Sequence, residues 1–143
     1  MNGERVLTES YTVRSGDFNA AGDASSAIKN MLKRLGVNTA AVRRVAIASY
    51  EAELNIIIHS LGGSLTLAVS RDSVALVADD AGPGIEDVEQ AMIEGYSTAP
   101  ESVRLLGFGA GMGLSNMKRC ADEFIIESIP GKGTTIRMRF DLR

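Results

Sequence analysis

The sequence predicts an α+β fold of two layers, in which a mixed, mostly antiparallel sheet of five strands carries helices on one face. Three observations predict it. Short β-rich runs bounded by Gly, Pro and Ser lie near both ends and in the middle of the chain, two consecutive apolar periodicities of helical spacing come after the first run, and the element order reads β, α, α, β, β, α, loop, α, β, β.

Each element has a local cause. From Val6 to Val13 apolar and polar residues alternate imperfectly, and the Ser15–Gly16 break ends this opening strand. Asp17 can cap a first helix, in which Phe18, Ala21, Ala24, Ser25, Ile28, Met31, Leu32 and Leu35 recur at helical spacing until Gly36. Asn38 or Thr39 caps a second helix to about Ser60, and its apolar run Val45 to Ile58 marks it as buried. Ser64 to Ser70 and Ser73 to Ala78, joined by Arg71–Asp72, form a hairpin, and Asp79 to Gly84 makes a Gly/Pro-rich loop after it. A short helix from Ile85 to about Ile93 leads into the glycine-rich stretch Glu94 to Gly113, of a length usually functional or mobile. A helix to about Asp122, a strand Phe124 to Ile129, a turn Pro130 to Gly133 and a strand Thr134 to Leu142 complete the chain.

Composition bounds the function. A chain of 143 residues is expected to form one domain over 1–143, with 45% hydrophobic residues to build its core. Fifteen Lys and Arg against 18 Asp and Glu leave a formal charge of −3 and no basic block, so no general grip on nucleic acid or an anionic membrane is expected. One cysteine, Cys120, and one histidine, His59, cannot build a disulfide framework or a Cys/His zinc site, which points to a reducing cytoplasm. Met1 to Ser10 has no apolar stretch suited to a signal peptide or membrane span.

Four places carry chemistry-bearing residues. On the second helix Glu51, Asn55 and His59 stand four apart, so each is offset by about 40° and all share one stripe. One reading is a water-facing or mutually satisfied stripe. The other has Asn55 offering its carbonyl oxygen to Mg2+ and Glu51 accepting a proton from an attacking hydroxyl or water, with His59 as a supporting neighbour. Glu53, on nearly the opposite side, counts against two wet faces, because Ile56, Ile57 and Ile58 would then have little to bury against. Asp80, Gly82 and Gly84 form DxGxG, either a plain turn or a carboxylate placed to accept from an exocyclic amine such as that of adenine, with glycines leaving room for the ligand plane. Gly107, Gly109, Gly111 and Gly113 alternate before a helix, a phosphate cradle in principle; a Rossmann or Walker site is excluded by the missing βαβ context and the missing GKS or GKT. Gly131, Gly133, Thr134 and Thr135 occupy the last hairpin, either as a turn or with a threonine near a nucleotide base. Lys118 is expected to be solvated, and Cys120 a small packed residue, not a nucleophile.

Taken in order, Glu51-Ala-x-x-Asn55-x-x-x-His59, Asp80-x-Gly82-x-Gly84, Gly109-x-Gly111-x-Gly113-Leu114 and Gly133-Thr134-Thr135 resemble the nucleotide-binding boxes of the GHKL ATPase superfamily, over residues from about 40 to 140. Gly82-Pro83-Gly84-Ile85, Glu94-Gly95-Tyr96-Ser97-Thr98 and Lys118-Arg119-x-x-Asp122-Glu123-Phe124 are similar to its bacterial anti-sigma and stress-response switch serine/threonine kinases. The resemblance implies a Bergerat-type sandwich with ATP and Mg2+ as cofactors, Asn55 as metal ligand, Glu51 activating or positioning the acceptor hydroxyl, and Asp80 recognising adenine beside Gly82 and Gly84. It also implies an ATP lid over about 95–113, with Gly109, Gly111 and Gly113 on the phosphates. Ile85, Tyr96, Ser97, Thr98, Arg104, Gly107, Ala110, Met112, Leu114, Thr134 and Thr135 complete the expected cofactor-binding set.

The activity so implied is ATP-dependent phosphorylation of a STAS-domain anti-anti-sigma-like partner, controlling a sigma factor that the chain could itself bind, with a homodimer as one further option. The alternative is a nucleotide-gated anti-sigma or partner-binding protein with little transfer, and a third is a simple ATPase or the isolated core of a two-component kinase.

Overall fold

A computed structural model describes residues 7–85, 87–93 and 113–142. The elements are β1 (Leu7–Val13), a single 3-10 turn (Phe18–Ala20), α1 (Asp23–Arg34), α2 (Thr39–His59), β2 (Gly63–Val69), β3 (Ser73–Ala81), α3 (Val88–Ala91), α4 (Gly113–Cys120), β4 (Glu123–Ile129) and β5 (Gly133–Asp141).

Local chemistry sets the helix ends. Gly36, at φ 78°, turns the chain out of α1; its N–H donates to the Lys33 carbonyl and that of Val37 to the Leu32 carbonyl, a Schellman closure. Asn38 caps α2, its side chain accepting from the Ala41 N–H at 2.8 Å. The expected cap at Asp17 does not form: its side chain makes no capping bond, and Gly22 at φ 98° breaks the periodic run, so α1 begins only at Asp23. The helix expected from Ile85 is shorter for a similar reason. Ile85 donates its N–H to Ser128, and Asp87 starts α3 by accepting from Gln90.

The sheet order is β1-β2-β3-β5-β4. Where a mixed, mostly antiparallel sheet is expected, every described pairing is antiparallel. The cause is the place of β5: β4 runs in the same sense as β3, and the last strand enters between them and removes the one contact that would have been parallel. β3 also runs three residues past the predicted end at Ala78, because Asp79 and Asp80 are held in ladders on both sides, against Ser64 and Gly63 and against Thr135 and Thr134.

One face of the sheet is buried. Leu65, Leu67, Val74, Leu76, Ile136, Met138 and Phe140 alternate inward beneath Ile28, Leu32, Val45, Ile56 and Met117 of the helices. α2 lies between α1 and α4 and reaches the sheet. Arg44 ties its first half to the far edge, donating to the Cys120 and Asp141 carbonyls and pairing with Asp122 at 3.0 Å. Among the described residues, no helix is long and apolar enough to cross a membrane.

Candidate functional site

Glu51 and Asn55 occupy consecutive turns of α2, both half-buried, and Glu51 lies on the side where α4 packs. One oxygen of Glu51 accepts from the Asn116 side-chain amide at 2.8 Å, and the other faces Gly113, whose missing Cβ would stand 3.5 Å from it. The Asn55 amide makes no hydrogen bond among the described residues, so its carbonyl oxygen retains its acceptor capacity. His59, at the foot of the same stripe, is half-buried, and burial pushes its imidazole below the usual histidine range. It does have a partner.

The opposite side of α2 explains the residue that sits uneasily in the sequence. Glu53 is 2% exposed and accepts from the backbone N–H groups of Gly22 (3.1 Å), Ala24 (3.2 Å) and Ser25 (3.1 Å). A carboxylate from one helix thus caps another. That leaves Glu51 and Asn55 as the polar face and Glu53 as an internal pin.

Asp80 lies near the end of β3 between two strands. Its Oδ1 accepts from the Thr134 N–H at 3.1 Å, and its other oxygen has no donor among the described residues. Burial raises its pKa above the usual carboxylate range; the Thr134 N–H opposes the shift and the neighbouring Asp79 charge adds to it. Gly63 lies opposite Asp80, and any Cβ there would stand 2.1 Å from the Asp79 carbonyl oxygen. Thr134 is buried and shares a 2.8 Å contact with the Ser128 hydroxyl, which also accepts from the Ile85 N–H at 2.7 Å. Ser128 therefore joins the DxGxG loop to the final hairpin. The two glycines of that loop differ. Gly84, at φ 79°, has the Ile129 carbonyl oxygen 2.5 Å from where a Cβ would be, whereas a Cβ on Gly82 would meet nothing closer than 3.6 Å.

Strand alternation separates residues that are adjacent in sequence. Thr135 donates to Asp79 at 2.9 Å on the outer face of the sheet, so Thr134, and not Thr135, is brought to Asp80. Leu114 is buried in the core. Lys118 is exposed and Cys120 half-buried, its thiol pushed up by burial and so kept from being a ready nucleophile. Tyr96, Ser97, Thr98, Arg104, Gly107, Gly109, Ala110, Gly111 and Met112, and with them most of the expected lid, lie outside the described residues. Sequence reasoning misses Asn116, Gly63 and Ser128. Asn116 sits three residues from Arg119 on a short amphipathic helix and reads as solvent-facing; Gly63 and Ser128 read as ordinary strand-edge residues.

The residues suit a purine nucleotide with its metal. Among the described residues, a half-buried carboxylate with a spare acceptor shares the DxGxG segment with a glycine whose Cβ would meet only ordinary contacts from 3.6 Å, and an amide carbonyl with no donor lies one helical turn from a carboxylate. Among the described residues no group of three His, Cys, Asp or Glu could hold a metal alone. The family described as histidine kinase-, DNA gyrase B-, and HSP90-like ATPases matches residues 39–143. The chain belongs to this ATPase family. Membership implies ATP as the ligand of this GHKL fold.

The serine/threonine-protein kinase RsbT of Bacillus subtilis (strain 168) is 33% identical over 113 residues, 76% of this chain and 79% of that one. The anti-sigma F factor of Thermoanaerobacter sp. (strain X514) is 38% identical over 99 residues, and the chain spans 66% of its length. A crystal structure of the RsbU and RsbW domains of a Mycobacterium tuberculosis protein superposes with a TM-score of 0.65 at 17% identity, over 95% of this chain and 32% of that one. That likeness is one of fold. The GHKL chain thus has kinases and anti-sigma factors among its relatives.

Proposed function

We propose that the chain is an ATP-dependent serine/threonine protein kinase of the anti-sigma and switch type, acting in the cytoplasm on a STAS-domain regulatory partner and so controlling a sigma factor. The observation that carries the reading is the placement of Glu51 and Asn55 on consecutive turns of α2, with the Glu51 carboxylate held by Asn116 of α4 and the Asn55 carbonyl without a donor among the described residues. A module that only bound nucleotide could dispense with that carboxylate.

In this reading one ATP-binding domain spans 1–143. Asp80 accepts from the exocyclic amine of adenine, Gly82 leaves room for the ring, and the 95–113 segment serves as lid, its glycines on the phosphates. Asn55 gives its carbonyl oxygen to Mg2+, which supplies charge neutralisation for the phosphates when bound. Transfer to a Ser or Thr hydroxyl releases one proton, and Glu51 receives it as the acceptor oxygen bonds to the γ-phosphorus and the bond to departing ADP breaks. Such transfer asks mainly for positioning, which two rigid helices provide.

The test is calorimetry of Mg·ATP binding to wild type and Asp80→Asn, then transfer of labelled γ-phosphate to a STAS-domain protein. Micromolar binding that collapses in Asp80→Asn, with transfer lost in Asn55→Ala and Glu51→Gln, is expected. Full transfer by Asn55→Ala would remove the metal-ligand assignment. A second reading, a nucleotide-gated anti-sigma protein with little transfer, is favoured by the likeness to anti-sigma F factors; it predicts ATP-dependent partner capture that is unchanged in Glu51→Gln.

A further inference from the structure

Asn116 is the residue that Glu51 touches on α4. Its Nδ2 donates to Glu51 Oε2 at 2.8 Å, while its Oδ1 accepts from the Arg119 guanidinium one turn further along the same helix. A carboxylate only accepts and a guanidinium only donates, so the amide satisfies both in a single orientation. The relay therefore has a fixed sense, Arg119 to Asn116 to Glu51.

The free behaviour of a glutamate makes this relay matter. Three rotatable bonds let a half-exposed Glu carboxylate sweep several ångströms, yet a proton acceptor works only within about 2.6–3.2 Å of the hydroxyl it serves. Asn116 engages Oε2. Oε1 is left on the side of Gly113, whose Cβ would stand 3.5 Å from it, and has no donor among the described residues. The helix that supplies the tether is anchored at both ends. Leu114 and Met117 are buried in the core, and Arg44 holds the Cys120 carbonyl.

We propose that Asn116, itself oriented by Arg119, is a positioning residue that fixes the Glu51 carboxylate so that Oε1 receives the acceptor proton. This rests on the kinase reading above for the role of Glu51, but the tether itself can be read without turnover. Asn116 touches neither nucleotide nor acceptor in this proposal and acts only through Glu51.

The test is a double-mutant cycle on the full chain, measuring ADP release from Mg·ATP with water as acceptor, alongside Mg·ATP affinity by calorimetry. Asn116→Ala is expected to lower kcat by roughly 10–100-fold, the loss that misplacement of a reacting group causes, with nucleotide affinity and melting temperature near wild type. Asn116→Gln, which keeps a donor, is expected to recover part of the rate, and Asn116→Asp, which keeps the shape but loses the donor, to recover none. In a Glu51→Gln background Asn116→Ala should cost nothing more, because its effect passes through the carboxylate. Wild-type kcat in Asn116→Ala, or losses that add in the double variant, would overturn the proposal. If wild type binds Mg·ATP but releases no ADP to water, transfer of labelled γ-phosphate to a STAS-domain protein decides the kinase reading, which falls if that transfer is also absent. The tether is then read by NMR: the Asn116 side-chain amide protons should move on Glu51→Gln, and unmoved resonances would overturn it.

Discussion

Replacing Glu53 by Ala removes the only capping group that the described residues offer to the start of α1. Gly22 has no side chain to cap with, and the Gly22, Ala24 and Ser25 N–H groups all converge on this one carboxylate. Hydrogen bonds to a charged acceptor contribute about 1.5–3 kcal/mol each, but three that share one group do not add, and the carboxylate offsets part of its own burial cost. Loss of a buried polar anchor typically costs about 3–5 kcal/mol, and the helix-terminal charge interaction is lost with it. The expected destabilisation is therefore ~4 kcal/mol, a large share of a stability of roughly 5–15 kcal/mol. At about 3–4 °C per kcal/mol for a chain of this size, the melting temperature should fall by more than ~10 °C. Glu53→Gln keeps one accepting oxygen and turns an NH2 toward the donors, so it should lose an intermediate amount. Urea titration with circular dichroism measures both. An Ala variant within about 1 kcal/mol of wild type, or Gln and Ala variants of equal stability, would refute the capping account.

The β3 end of the site yields three further expected outcomes. Asp80 has its pKa raised by burial, so its charge opposes folding: the stability it allows is fully present below the unfolded carboxylate pKa near about 4 and is lost as pH rises through the higher folded value. Asp80→Asn, which can still accept from Thr134, should accordingly be at least as stable as wild type at neutral pH and lose that advantage in acid below the carboxylate range, in denaturant titrations at both pH values. Gly84→Ala should cost about 1–3 kcal/mol or more, from its positive φ and the 2.5 Å approach to the Ile129 carbonyl, whereas Gly82→Ala should unfold like wild type and show its effect in nucleotide affinity by calorimetry. Gly63→Ala should push the β3 backbone at Asp79 away, weakening both stability in urea titration and Mg·ATP binding by calorimetry.

How much of this can be read from the sequence depends on the range of the cause. α2, the β2–β3 hairpin and the β4–β5 hairpin rest on periodicity and turn residues within a few positions, and the sequence shows them. Contacts spanning the chain are hidden. Glu53 looks like a residue in want of water because its donors lie 28 to 31 residues earlier, around a glycine that signals no cap. Asp79 and Asp80 have poor strand propensity, and only the two flanking ladders, invisible locally, keep them extended to Ala81. The stripe Glu51–Asn55–His59 is legible as a stripe, but its partner Asn116 is not, since a polar residue on a short amphipathic helix is most often solvated. The choice of Thr134 over Thr135 turns on strand phase, which no composition reveals.

The interior place of β5 has a consequence for Asp80. β4 is made before the strand it pairs with, and the backbone partner of Asp80 arrives 54 residues after Asp80 itself. β5 lies between β3 and β4, so one strand both completes the sheet and gives Asp80 the Thr134 N–H. The environment of Asp80 thus depends on the most sequence-distant of the sheet's pairings to β3, and a change anywhere along β5 that shifts its register moves the Thr134 N–H away from this carboxylate.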